Sequence, residues 1–386
     1  MITSQFLQNY RKAHKFLEFL RATPFIINGK TNEKELSKSF LGFNLILLTY
    51  FFYEVFVAVS LYMQVKYFSD MKQDSFDIIV TVVWVMGYVW AGVIMLNLSL
   101  NREEMMGIYN QLQVLDRKWK DAALARNRNH KDSKLLEVLL FLIINGYFFC
   151  IFVWIILCLF LPNNRMLIYS AISSKYKNFF TYLAFLCFEI FIKCEVICHL
   201  FYDLLLLQYL IIVPSYWMRQ NMNQEKSVTK QVSEYHKFHV LNRYINCALL
   251  KPKLPCIMEI LLGMILLGLY GMIRMYDKVD FGSFLVFPQL ACNCCMISFL
   301  ILWPSSYYNK ISEAYITKVT TSWPVRGGNF EPKSFKRDRK EGKSLQDFGI
   351  GIGMYKIIKF YHIEIFYFSV TNYIVTILCA FEGYWH

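Results

Sequence analysis

Five ionisable side chains crowd into one of the most apolar stretches of the chain: Glu189, Lys193, Glu195, His199 and Asp203. A charged group in a membrane-spanning helix costs about 3 kcal/mol and therefore faces the protein interior or a cavity. A separation of four residues stacks Glu189 on Lys193, and Glu195 on His199, along a helix face. Two readings of Glu189 and Lys193 stay open. They form a buried ion pair that neutralises itself against neighbouring helices, or they line a ligand cavity. His199 and Asp203 lie lower and belong with an extension beyond the membrane. No HExxH and no paired-Asp motif accompanies them, so no enzymatic chemistry is expected. Cys292, Cys294 and Cys295 lack the Cys pair plus distant partners of a zinc site. Neither a metal nor a cofactor is expected.

These residues need elements that cross a bilayer. Of 386 residues, 56% are hydrophobic and only 18% charged, against roughly 45–50% and 25% in soluble domains. That composition excludes a soluble enzyme, a disordered chain and a small disulfide scaffold. Spanning about 30 Å of hydrocarbon takes about 20 apolar residues. Seven such runs are read: 40–63, 76–100, 138–161, 179–213, 254–276, 281–308 and 363–384. None alternates as a strand does, so the expectation is an all-α protein with seven transmembrane helices. The fourth run is too long for any bilayer and is read as one helix continuing into a bundle outside the membrane. Val228, Val232, Tyr235, Phe238 and Ile245 recur at helical spacing. Arg11–Arg21 reads as a short amphipathic helix.

The basic residues give the orientation. The chain carries a formal net charge of +13. The N-terminal segment and every second loop together hold 33 Lys and Arg; the remaining connections hold 6. Cytoplasmic loops carry the positive excess, so the N-terminus is expected in the cytosol and the C-terminus outside. That topology is opposite to a G-protein-coupled receptor, and no G protein is expected. The charge is spread over membrane-facing loops rather than a binding module, so no nucleic-acid partner is expected either.

With this orientation, the outer halves of the helices present Trp84, Tyr88, Trp154, Tyr182, Glu189, Tyr270, Gln289 and Asn293 as pocket candidates. Aromatic rings with a few polar groups suit a small-molecule pocket, although Trp and Tyr also settle at membrane interfaces by default. In the last run, Thr371, Asn372, Thr376 and Cys379 form a weakly polar stripe. Such a stripe can line a pore or serve ordinary packing between helices. The glycine-rich run 349–353 lacks the strand–turn–helix setting of a dinucleotide site and reads as a flexible approach to the last helix.

Over its full length the chain resembles the insect gustatory receptors, within the wider insect chemoreceptor family. The resemblance rests on seven spans, an internal N-terminus, a long fourth helix, a long basic sixth loop and a last helix near the C-terminus. Gly353, Met354 and Tyr355 match the Gly-x-aromatic motif that precedes the family's terminal signature, and Thr371 falls eighteen residues after Gly353. Asn372 stands where the signature has Tyr; Leu378 and Cys379 stand where it has Gln-Phe. An alternative register ends at Phe381.

The resemblance implies a tetrameric, ligand-gated, non-selective cation channel that detects small-molecule tastants in the plasma membrane of sensory neurons. Thr371, Asn372, Thr376, Leu378, Cys379 and Phe381 would line or gate its pore. Other subunits of the same family would be the partners. The expected organisation is a cytosolic segment 1–39, helices one to six over 40–308, a cytosolic loop and anchor 309–362 with a mobile insert 326–347, and a pore-lining helix 363–386 with its outer tail. Helices four to seven would extend into the anchor bundle. A secondary transporter and a non-conducting accessory subunit are the alternatives.

Overall fold

The computed structural model describes residues 4–21, 23–28, 34–36, 40–66, 75–124, 167–222, 228–247, 253–279, 281–321, 344–352 and 356–380. It also describes isolated positions in 138–155 and position 340. Trp154, Phe381, Gly353–Tyr355, most of the third apolar run and most of the 326–347 insert lie outside the described residues.

The fold is all-α, with two short hairpins. Helix α1 (Ser4–Phe19) leads into β1 (Phe25–Ile27) and β2 (Lys34–Leu36), paired antiparallel. Then follow α2 (Phe40–Lys66), α3 (Ser75–Leu100), α4 (Arg102–Leu124), α5 (Phe179–Met222), α6 (Val228–Ile245), α7 (Lys253–Arg274) and α8 (Val286–Thr321). A second hairpin of β3 (Gly351–Ile352) and β4 (Lys356–Ile357) precedes α9 (Phe360–Ala380). Six of these helices, α2, α3, α5, α7, α8 and α9, are long and apolar enough to cross a membrane.

Helix α5 is the axis of the fold. The expected single long helix is observed: 44 residues, about 66 Å at 1.5 Å per residue. Asn178 caps its start, accepting from the Thr181 N–H at 2.8 Å. Of its apolar window 89% is buried, against 17% in α2 and 6% in α9. Apolarity around the full circumference of a helix means burial or lipid, and these helices divide between the two. On α2, Leu41, Leu45, Leu48, Phe52, Val55 and Val59 are exposed at alternating steps of four and three, a single stripe along the helix.

Beyond the hydrocarbon, the last turns of α5 join α4, α6 and the end of α8. We refer to this as the basic end. The expected helix at Val228–Ile245 is present and buries Val232, Tyr235, Phe238, Leu241 and Ile245. The segment 345–352 threads through this bundle. Asn242 and Asn246 both donate to the Gly349 carbonyl, at 3.1 and 2.8 Å, and Asn246 accepts from the Gly351 N–H at 3.0 Å. Asn309 donates to the Phe348 carbonyl at 3.1 Å, and Ser312 accepts from the Phe348 N–H at 3.0 Å. The expectation of a flexible glycine run is corrected here for 349–352. These glycines let the backbone pass close to α8: a Cβ on Gly349 would lie 2.6 Å from Ile357 Cγ2 and 3.0 Å from Asn309 Cβ.

Candidate functional site

The fourth-helix residues do not share one environment. Glu189 and Lys193 meet three aromatic rings supplied by α2 and α3. Lys193 Nζ lies 4.4 Å from the Tyr88 ring centre, 4.7 Å from Tyr53 and 4.9 Å from Trp84. It donates to Tyr53 Oη at 3.0 Å and stands 3.7 Å from Glu189 Oε2. The Tyr53 hydroxyl in turn donates to Glu189 Oε2. The other carboxylate oxygen accepts from the Ile168 N–H at 2.9 Å, at the start of a one-turn helix over Ile168–Ala171. Both charged residues are buried, at 2% and 1% exposure. Burying two charges is favourable only when they are paired and hydrogen-bonded, and the tyrosine hydroxyl does that by bridging them. Three ring faces around an ammonium add cation–π attraction that strengthens as water is excluded.

Of the pocket candidates, Trp84, Tyr88 and Glu189 are therefore brought together, with Lys193 at their centre. Tyr270 is half-buried beside an apolar cluster of Phe76, Ile79, Val80, Leu167, Met275 and Phe287, which Trp84 also flanks. The site thus continues from the ion pair, across Trp84, toward α7 and α8. Tyr182 is not part of it; its ring meets Tyr169 edge-on at 5.2 Å. Gln289 is half-buried on α8. Asn293 lines a separate cavity of about 560 Å³ between α5, α8 and α9, with Trp90 and Tyr367. Nothing in the sequence singles out Tyr53. It sits mid-way along an apolar run, and nothing in its spacing marks it as the neighbour of a lysine 140 residues away.

Glu195 and His199 sit one to two turns nearer the basic end. Both are fully buried and 3.7 Å apart. No hydrogen-bond partner is found for either carboxylate oxygen or either ring nitrogen among the described residues. Asp203 pairs with Lys253 at the start of α7. It closes the charged series, and the mostly apolar stretch 204–213 follows it.

Helix α9 is held by few of its residues: only Val370 and Ile374 are buried. Tyr367 anchors it, donating to the Cys295 carbonyl at 2.9 Å and meeting Ser298 Oγ at 3.0 Å. Arg274, at the end of α7, donates to the Leu378 carbonyl at 3.2 Å. Thr371, Asn372, Thr376 and Cys379 are exposed, and Leu378 is half-buried. The threonine hydroxyls donate back to the carbonyls of Tyr367 and Asn372, at 3.1 and 2.9 Å. That leaves each hydroxyl oxygen able to accept on the outer surface of the chain.

No family model matches the chain, and no curated protein matches it. Solved structures do. The insect olfactory receptor OR5 from Machilis hrabei superposes with a TM-score of 0.65 at 11% identity, over 96% of this chain and 99% of that one. The same receptor in complex with eugenol superposes with a TM-score of 0.68 at 9% identity, over 98% and 100%. The chain is similar to that receptor in fold, along its whole length.

Proposed function

We propose that the chain is a chemoreceptor subunit of the insect taste-receptor type: a ligand-gated, non-selective cation channel opened by small-molecule tastants in the plasma membrane of sensory neurons. The observation that carries this reading is α9. A transmembrane helix that leaves Thr371, Asn372 and Thr376 on the outside of its own chain is best served by water or another protein against that stripe: the threonine hydroxyls already donate within the helix, but their oxygens and the Asn372 amide keep hydrogen-bonding capacity that lipid cannot meet. Four copies of such a helix around one axis enclose an aqueous path, with Leu378 and Cys379 near its outer mouth. The fold shared with an insect olfactory receptor, and the eugenol bound to that receptor, support the same reading.

In this reading, the Tyr53–Trp84–Tyr88–Glu189–Lys193 cluster forms the wall of the ligand site. Rings supply apolar surface, and the bridged ion pair supplies the few fixed polar groups that orient a ligand. Helix α8 packs against α5, α7 and α9, so a shift of α5 against α3 reaches α9 through one rigid neighbour. A tastant opens the channel only by binding the open state more tightly; moving from 1% to 99% open takes about a 10⁴-fold difference in affinity. The basic end faces the cytosol.

The test is electrical. Protein verified at the cell surface should pass cation current in response to members of a tastant panel. Thr376→Val should alter conductance or selectivity while leaving the ligand concentration for half-response within about threefold. Lys193→Met should shift that concentration instead. Surface-expressed protein that passes no current with a broad panel, alone or with related subunits, overturns the proposal.

A further inference from the structure

A second cleft lies at the other level of the membrane, between α1 and α5. It encloses about 320 Å³ and is lined by Lys12, Ala13 and Phe16 of α1 and by Cys198, Phe201 and Leu205 of α5. Its depth follows from α5. Lys175 and Lys177 immediately precede that helix, which places Phe179 at the outer boundary of the hydrocarbon. Residues 198–205 then lie about 29–39 Å along the axis, where a hydrocarbon layer of roughly 30 Å gives way to headgroups.

Helix α1 is built for that boundary. It buries Tyr10, His14 and Leu17 against the subunit, while Phe16 is 42% and Phe19 81% exposed. Lys12, Phe16 and Phe19 share one outward stripe, with Lys15 beside it, and both lysines are exposed. Arg11, Lys12 and Lys15 face only Glu18 as an opposing charge within the helix. Basic side chains interleaved with exposed aromatics on one helix face are the pattern of a helix lying in a membrane interface. Here that face borders an apolar cleft large enough for part of an acyl chain.

We propose that this cleft binds an anionic phospholipid of the leaflet at the basic end, one acyl chain between α1 and α5 and its phosphate on Lys12 and Lys15. A zwitterionic lipid could fill the apolar volume equally well, but it would leave the basic rim uncompensated. An anionic headgroup satisfies both parts of the site.

The experiment uses the full chain in phosphatidylcholine nanodiscs containing a minor fraction of phosphatidylserine with a photoreactive acyl chain. Cross-links should map to residues 9–17 and 198–205, and a matched phosphatidylcholine probe should label these segments several-fold less. The K12E/K15E variant should lower labelling by about fivefold or more for each charge removed. Ala13→Trp, which fills the cleft without changing charge, should lower it as well. Equal labelling by the two headgroups overturns the proposal, and that comparison needs no variant. So does labelling that survives Ala13→Trp, which would mean a diffuse surface attraction rather than a site. No current is measured, so the result is separate from the outcome for the chemoreceptor reading.

Discussion

Lys34 sits far from a lysine's ordinary setting. It is buried among the rings of Tyr10, Phe25, Tyr109 and Tyr202, with Nζ 4.4 Å from the centre of Tyr109 and donating to Tyr202 Oη at 2.6 Å. Burial lowers its pKa to about 7. His14, on the neighbouring turn of α1, is lowered to about 3, chiefly by burial and then by the Lys34 charge, while its donation to the Phe25 carbonyl at 3.1 Å acts the other way. Tyr10 and His14 on α1, Tyr109 on α4, and Tyr202 with Asp203 on α5 are the titratable groups nearest this lysine. In each of the two bases the folded pKa is depressed, so the unfolded chain holds more protons. Docking of the N-terminal hairpin should therefore strengthen as pH rises from 7 toward about 9, by roughly 1.4 kcal/mol per unit at most, and weaken as pH falls from 6.5 toward 3; near pH 10 the buried Tyr10 and Tyr109, whose pKa values are raised by burial, turn the slope the other way. Hydrogen exchange of residues 25–28, corrected for the intrinsic rate, reads this directly, and Lys34→Met should flatten the upper window. A slope of opposite sign contradicts the assignment. Glu195 and His199 make a second residue-scale case. Glu195→Leu or His199→Leu alone takes away the polar group 3.7 Å from the other and should cost about 1–3 kcal/mol, whereas the double replacement should recover most of it. Melting temperatures of the four proteins in one detergent decide the matter; strictly additive losses would show that the two do not interact.

Among the elements, the segment 345–352 is the one whose sequence says least about its role. Its glycines read as slack, yet the backbone is clasped by amides from α6 and α8. Gly349→Ala should destabilise the subunit by about 1–3 kcal/mol, since Ile357 and Asn309 must give way. Gly107→Ala in α4, where an added Cβ meets nothing within 4 Å, should stabilise it by about 0.5–1 kcal/mol. Thermal melts of the two variants should move in opposite directions; equal shifts would mean that Gly349 has room. The membrane-length helices are legible because each carries its own signal, apolar length for α2, α3, α5, α7, α8 and α9, and α6 is legible from its periodicity; α4, polar and basic, reads only as a connection between spans. The site was legible only in part. Helical spacing pairs Glu189 with Lys193 because both lie on one helix. It cannot say that Tyr53, Trp84 and Tyr88 converge on that pair, because convergence depends on the rotation of one helix against another. Tyr182 and Asn293 failed to join it for the same reason. The N-terminal hairpin has no signature in the sequence, because strands of three residues leave no periodic pattern.

At the scale of the whole molecule, the partition of charge is the main evidence for direction. Tags fused to residue 1 and residue 386 should be protected and accessible, respectively, to an impermeant reagent on intact cells. An accessible N-terminal tag would reverse the topology and detach the proposed ligand site from the outside medium. The distribution of burial adds a second property. Helix α5 is enclosed by its own chain, while α9 has 6% of its apolar window buried and the lowest mean hydropathy of the six spans, 1.6.

That contrast bears on how the protein is made. Helix α9 follows the other five spans in sequence, so it reaches the membrane when its neighbours are already in place. Tyr367 and Arg274 give it only a narrow foothold on them. In the proposed assembly, a newly made copy shows Thr371, Asn372 and Thr376 to lipid until other subunits cover them. Quality control in the secretory pathway could thus recognise an unassembled copy by the same stripe that assembly hides, which would tie export to the cell surface to completion of the complex.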